Sequence, residues 1–368
     1  MATPAQAATD VFSCAQCGAP TTFDPSTTRL ICDHCSNAVE IVLATYDIPT
    51  YDLFGKTAIA SLHASDLSKS AREIACKQCG AHAIVTRRAE RCTFCDAPMV
   101  VEVEQSDPTI PPGAVLPFVI PGKDAAARFS EWLSGRRFAP GDLVQRSRRD
   151  RLDGVYLPFW AFDAKSTTQY DGQRGTVRYE TETYKDSDGK EQTRQVEHVD
   201  WVDVSGTVHA TSKDVLTGAS PTLPVKLVLQ LEPWELPRLR AFDARFLAGF
   251  AAERYQTQPA DSFIAVYPTI EGQIRGAINR DIGGDRQKIG SMSVNWDAVG
   301  FRHLLLPVWL SSFRYNDKVF HVAVNAATGE VVGERPWSVI KIVMFVAAIA
   351  AIVAAIIVAI TFLVTNHR

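Results

Sequence analysis

The sequence predicts an α+β protein built from two N-terminal zinc ribbons, a β-rich α+β central domain and one C-terminal transmembrane helix. Three observations carry that reading. Eight cysteines form four Cys-x2-Cys pairs early in the 368-residue chain, runs rich in Thr, Val and Tyr fill its middle, and an uncharged apolar stretch lies near its end.

The ribbons come first. Cys14 and Cys17 are followed, 14 residues on, by Cys32 and Cys35; Cys76 and Cys79 are followed, 12 residues on, by Cys92 and Cys95. The two sets belong to an internal repeat, in which Phe12-Ser13-Cys14-Ala15-Gln16-Cys17-Gly18-Ala19 matches Ile74-Ala75-Cys76-Lys77-Gln78-Cys79-Gly80-Ala81. Each unit ends in a β-branched run, giving ribbons over 10–45 and 70–105 joined by a connecting segment, 46–69, where Ile59, Leu62, His63 and Leu67 suggest a short helix. Two residues between cysteines let both sulfurs of a knuckle turn toward one metal, and Gly18 and Gly80 supply backbone freedom just after. Four thiolates at about 2.3 Å close a tetrahedral Zn2+ site with no open position for water, so both zinc ions are expected to be structural. Such binding supplies on the order of 10 kcal/mol, enough to fold a unit that lacks its own core. Isolated Cys-x-x-Cys pairs also suit thioredoxin-like redox work, but four pairs in two matched sets with no spare cysteine favour metal. His34 and His82 lie nearby; with four cysteines at each site they read as spectators.

Three prolines mark 106–113 as a stiff, extended linker into the 114–334 domain. Asp124 is placed to cap a helix that runs to Ser134 and closes at Gly135; Asp243 is placed to cap another through about Gln256. Strands are expected over 167–183 and 193–210, joined by a turn at Asp186-Ser187-Asp188-Gly189. A three-stranded meander is expected over 308–315, 319–325 and 330–334. Leu157-Pro158 and Leu306-Pro307 each precede an apolar run, so each is expected to open a strand, where the missing N–H costs nothing.

The transmembrane helix is expected over 338–365, its core the stretch from Ile342 to Val364, in which Thr361 is the one polar residue. At roughly 1.5 Å per residue it spans a hydrocarbon layer of about 30 Å. Trp337, Arg335 and Lys341 flank one side, His367 and Arg368 the other. The first ten residues show neither a basic nor an apolar signal region, so the expectation is a tail-anchored, single-pass plasma-membrane protein with its ribbons in the reducing cytoplasm.

Other chemistry is sparse. The formal net charge is −3 and thiolate–zinc centres would make the chain more acidic, so nothing draws the whole molecule to nucleic acid. The first ribbon sets Arg29 alone against Asp10, Asp24, Asp33 and Glu40. The main basic patch is Arg136, Arg137, Arg146, Arg148, Arg149 and Arg151, which suits an anionic partner, either a phosphate backbone or lipid headgroups, and otherwise reads as a solvated helix face. Gly55-Lys56-Thr57 lacks the glycine five residues upstream that a phosphate loop needs, where Thr50 stands, so no nucleotide is expected. Arg280-Asp281-Ile282-Gly283-Gly284-Asp285 reads as a helix C-cap and tight loop, and no catalytic constellation stands out, so no enzyme is expected.

Several blocks carry a resemblance: Gly154-Val155-Tyr156-Leu157-Pro158-Phe159-Trp160, Tyr170-Asp171-Gly172-Gln173-Arg174-Gly175, Leu231-Glu232-Pro233-Trp234, Asp281-Ile282-Gly283-Gly284-Asp285, His303-Leu304-Leu305-Leu306-Pro307-Val308-Trp309 and Val324-Asn325-Ala326-Ala327-Thr328-Gly329-Glu330-Val331. With the cysteine motifs they make the chain similar to bacterial TFIIB-type zinc-ribbon membrane proteins, often labelled primosomal protein N′ (replication factor Y) or superfamily II helicase-like. Pro268 and Gly272 depart from that resemblance by interrupting a segment that reads as a more regular helix in relatives. The helicase label has no motor residues to rest on here. The resemblance implies association of some members with envelope-stress proteins and SPFH-like partners at the membrane. The expected function is therefore a zinc-ribbon adaptor that recruits a protein partner at the membrane; the alternative is a nucleic-acid-binding accessory of replication or transcription.

Overall fold

The computed structural model describes residues 13–41, 47–55, 72–85, 92–95, 97, 100–102, 110–136, 138, 140, 152–185, 187, 189–315, 318–334 and 336–366. The helix expected around 59–67, the first half of the 106–113 linker and the arginines at 137, 146, 148, 149 and 151 lie outside them.

The N-terminal unit makes a small antiparallel sheet of its own from β1 (Thr21–Asp24), β2 (Arg29–Cys32) and β3 (Ala38–Glu40). Its hairpin closes on the Asp24 carboxylate, which accepts hydrogen bonds from the Ser26 amide (3.0 Å) and the Ser26 and Thr27 hydroxyls (both 2.8 Å). After β4 (Tyr51–Asp52), the second unit supplies β5 (Arg72–Cys76), β6 (His82–Val85) and β7 (Val100–Glu102), with β5 between the other two.

The rest of the chain alternates helices with strands of unusual length. In order come β8 (Ala114–Val115), α1 (Gly122–Ser134), β9 (Asp153–Lys185), β10 (Glu191–Gly218), α2 (Val225–Gln230), β11 (Arg240–Ala241), β12 (Ala251–Glu253), α3 (Pro259–Ile282), β13 (Arg286–Tyr315), β14 (Lys318–Asn325), β15 (Val331–Gly333) and α4 (Val339–Asn366). Among the described residues, 12 strands form one sheet ordered β11-β8-β13-β9-β12-β6-β5-β7, with β10 added on β9, β14 and β4 on β13, and β15 on β14. The second ribbon is therefore part of the central sheet, joined where β6 runs antiparallel to β12.

The sequence of β9 shows how one strand serves three environments. From Val155 to Phe162 every residue is buried, as a strand covered on both faces requires. The pattern then alternates, with Ala164, Ser166, Thr168 and Tyr170 turned inward, because α3 covers one face only. Beyond Gly175, among the described residues, β9 pairs with β10 alone, and the side chains become charged and exposed. In α3, Ser262, Val266, Ile270, Ile274, Ile278 and Ile282 recur every fourth residue and are all buried, so the helix lays one apolar stripe along the sheet. Pro268 lies within α3 without ending it. β13 keeps its facing residues in phase by bulging between Ile289 and Ser291 and again between Trp296 and Ala298.

Several expectations are corrected. Asp124 does not cap α1: the cap residue is Pro121, and Asp124 sits in the first turn, where its charge suits the helix dipole. Asp243 does cap, accepting from the Arg245 amide at 2.9 Å, but only a single turn at Ala244–Leu247 follows before Gly249 (φ +85°) breaks it and β12 begins. The two Leu-Pro pairs lie inside strands. Pro158 falls where the neighbour of β9 changes from β12 (at Tyr156) to β10 (at Phe159), and Pro307 where that of β13 changes from β8 (at Leu305) to β14 (at Val308). A missing N–H is tolerated at such a change of partner. The strands around the 186–189 turn are longer than expected, while the meander falls as expected in β13, β14 and β15.

The two ribbons pack on opposite faces of the sheet. Ile74, Cys76, Phe94 and Ala97 join the cluster of Val155, Leu157, Phe159, Leu304 and Leu306. Phe23, Leu30 and Ile41 join the cluster of Tyr156, Leu305, Phe118, Phe246 and Phe250. The end of the proline-rich linker is no free spacer. Ile110 is 1% exposed, its N–H donates to the Tyr255 hydroxyl (3.1 Å), and its carbonyl faces His303 Nδ1 at 2.9 Å.

Candidate metal centres

The knuckles share one turn. Cys14 N–H donates to the Ala19 carbonyl (2.8 Å) while Gly18 N–H donates back to Cys14 O (2.8 Å). Cys76 repeats this with Ala81 and Gly80 (both 2.9 Å), and Cys32 with Asn37 and Ser36 (2.9 and 3.0 Å). The fifth residue of the turn sits in the left-handed region: Gly18 and Gly80 at φ +74°, Ser36 at +57°. That is why a glycine follows two of the pairs, and serine at the third carries some strain.

These turns bring all eight expected ligands into two groups of four, with the sulfurs of each group within 4.8 Å of one another. Across the knuckles, Cys14–Cys35 and Cys17–Cys32 Sγ separations are 3.7 and 3.4 Å; Cys76–Cys95 and Cys79–Cys92 are 3.6 and 3.7 Å. A tetrahedron of sulfurs about 2.3 Å from a central ion has edges of about 3.8 Å, so the spacing fits a four-coordinate ion, whereas a disulfide needs about 2.05 Å. His34 and His82 join neither group, and His82 Nδ1 instead faces Glu73 Oε1 at 3.3 Å.

The thiols respond to this crowding unequally. Hydrogen bonds from the Gln16 and Cys17 amides hold Cys14 down to about 6. The hydrogen bond from Cys92 holds Cys79 down to about 5 against the effect of burial, and the same bond, with burial, pushes Cys92 well above the usual thiol range. Four like groups this close share protons, and all four ionise together only around a cation.

The centres differ in exposure and attachment. Cys14 and Cys32 are buried in the first, while Cys17 is exposed; in the second Cys76, Cys92 and Cys95 are buried and Cys79 is exposed. The first ribbon is held by Phe23, whose N–H donates to Ala248 O (2.9 Å) and whose ring meets Phe246 edge-on at 5.3 Å. The second is held by the β6–β12 pairing, by Ser312 Oγ donating to Thr93 O (3.1 Å), and by His321 Nε2 against Phe94 O (2.8 Å). Beneath it the Glu73 carboxylate, 3% exposed, pairs with Arg254 of the segment after β12. Sequence reasoning found the cysteines that gather in the two groups and missed these clamps, because a lone Ser, His or Arg some 150 residues or more from its partner leaves no spacing signal.

Of the arginine patch, Arg136 is described: it is exposed just past the end of α1, with its guanidinium 4.6 Å from the Trp132 ring centre. The 280–285 loop serves the fold. Gly283 ends α3, the Asp281 carboxylate accepts from Tyr170 OH (2.7 Å), and the Asp285 carboxylate accepts from the Val177 amide (2.8 Å). At the far end of the chain α4 is apolar, with mean hydropathy 3.1 over Val339–Ala359 and none of that span buried against the protein.

No family model matches the chain, and no solved structure matches it. Among curated proteins it is similar to the uncharacterized protein YdjG of Bacillus subtilis (strain 168), 27% identical over 241 residues, which cover 65% of this chain and 68% of that protein.

Proposed function

We propose that the two tetracysteine groups hold structural Zn2+ and that the chain is a membrane-tethered, cytoplasm-facing adaptor whose first ribbon recruits a protein partner. The observation that carries this reading is closure. Four sulfurs lie within 4.8 Å at each centre and, among the described residues, no histidine or carboxylate joins them, so four thiolates would fill a tetrahedral ion and leave no coordination position for substrate or water. Soft thiolates in a tetrahedral set favour zinc among divalent ions, and thiols kept for metal suit a reducing compartment. A 21-residue helix of mean hydropathy 3.1 with none of its span buried against the protein suits the hydrocarbon of a bilayer. The recruiting surface is the outer strand of the first ribbon, where Ala38, Val39 and Glu40 are all exposed, Val39 at 42%. A short exposed strand edge of this kind accepts an extended peptide from a partner.

The test uses the full chain in native membranes. Metal analysis of the purified protein is expected to give two zinc ions per chain. A photo-crosslinker placed beside Val39 is expected to capture a discrete partner, lost both in Val39→Glu, which leaves the metal in place, and in Cys14→Ser, which does not. Salt-sensitive retention of duplex DNA, ATP hydrolysis, or a catalytic rather than structural metal content would contradict the adaptor.

A further inference from the structure

The corner at which α4 leaves the domain gathers Arg136 and the rings of Trp132, Phe138, Trp337 and Phe345 from two segments far apart in sequence. Trp132, in the last turn of α1, lies over the end of β15; a Cβ on Gly333 would stand 2.7 Å from Val322 Cγ2 and 3.2 Å from the Trp132 Cη2, so glycine lets β15 pass close to both. Arg136 stacks its guanidinium on the same indole at 4.6 Å. Two residues on, the Phe138 carbonyl accepts the Ser338 amide at 2.8 Å, fixing the loop after α1 to the residue just before α4. The Phe138 ring stacks on Trp337 (6.4 Å, 28°) and meets Phe345, within α4, edge-on at 5.3 Å. Trp337 is nonetheless 59% exposed, and Arg136 and Lys341 are exposed as well.

We propose that this corner is a docking surface for the anionic headgroup layer of a phospholipid bilayer, with Arg136 on lipid phosphate and Trp132, Phe138 and Trp337 as its interfacial aromatics. The inference rests on the membrane reading of α4 and adds to it a lipid-charge preference and a fixed seat for the domain. If α4 spans the hydrocarbon, hydrogen bonding at Ser338 holds Phe138 and Trp337 at the headgroup level, which is where amphipathic rings settle. A guanidinium whose face is stacked on a ring can offer the N–H groups of its edge to phosphate, the arrangement in which arginine binds phosphate well. Charge complementarity points the same way. Arg136 and Lys341 are both exposed, and among the described residues Glu334 is drawn toward His321 Nδ1 at 3.8 Å. A nucleic acid would have to reach a site walled by an apolar helix, a setting its phosphates avoid.

The full chain in nanodiscs tests this by hydrogen exchange, comparing discs of phosphatidylcholine alone with discs containing phosphatidylglycerol. Amides over 130–138 are expected to exchange about fivefold more slowly in the anionic discs, the factor one basic side chain gains near an anionic leaflet. About 0.5 M salt and Arg136→Glu should each abolish the difference, while Arg136→Lys should keep part of it. Amides of α4 should be protected in both discs. Protection of α4 with no lipid dependence at 130–138 would overturn the docking surface and leave the tether standing. Free exchange of α4 in both discs would overturn both. Loss of duplex-DNA retention in Arg136→Glu, with no lipid effect, would reassign the corner to nucleic acid.

Discussion

The two ribbons start from the same sequence plan and end in different structural positions. The first closes a private three-stranded sheet and rests on the central domain through Phe23. The second gives its three strands to the central sheet, buries three of its four cysteines, and is clamped by Ser312, His321 and the Glu73–Arg254 pair. The difference lies outside the metal ligands. A tetrathiolate site folds a short segment wherever it stands; whether that segment becomes a detachable module or a part of the core depends on what its strand edge meets. β6 meets β12, while β3, among the described residues, pairs with β2 alone. The first ribbon is thereby suited to presenting a surface and the second to bearing load.

The largest expected contrast comes from the ligands. Cys76→Ser should remove much of the metal's contribution, on the order of 10 kcal/mol, from a unit continuous with the central sheet. Thermal unfolding should then show the whole central sheet destabilised, whereas Cys14→Ser should leave the main transition in place and abolish only a local one. Phe23→Ala comes next, at about 3–5 kcal/mol for a buried aromatic. Its effect should be confined to the first ribbon, measured as faster proteolysis near 13–41 with the main transition unmoved. Glu73→Gln removes the buried carboxylate that pairs with Arg254 and should cost about 3 kcal/mol, read in denaturant unfolding of the main transition.

Acid should sharpen the contrast further. Burial holds His303 down to about 4, so the folded protein keeps it neutral while the unfolded chain takes up a proton near 6.5. The folded state is the poorer proton binder, and stability is therefore lost as pH falls from about 6.5 toward about 4, by up to about 3 kcal/mol. His303 faces the Ile110 carbonyl, through which the chain enters the central domain after the second ribbon, so this loss should appear in the main transition. His303→Phe should flatten that part of the pH profile.

Much of this was legible in the sequence where the signal is local. Cysteine spacing found both centres, Gly18 and Gly80 marked left-handed turns, and the apolar run marked α4. What escaped depends on partners distant in the chain. Nothing near Pro158 or Pro307 announces that a strand changes neighbour there, and the helix expected after Asp243 ends at Gly249 because the chain must turn into β12. The attachment of the second ribbon is a matter of register between residues 83–85 and 251–253, which periodicity cannot see. The same holds for the corner around Trp132, Phe138 and Trp337, whose members come from two segments about 200 residues apart.

The most direct test follows the two metal ions separately. The metal would be withdrawn stepwise by a chelator from the full chain in nanodiscs while hydrogen exchange is read over 20–40, 72–85, 153–160 and 251–253. Metal loss from the first centre should deprotect 20–40 alone, and loss from the second should deprotect 72–85 together with 251–253. Emptying the second centre while 251–253 stays protected, or equal effects from the two centres, would contradict the division between a detachable first ribbon and an integral second one.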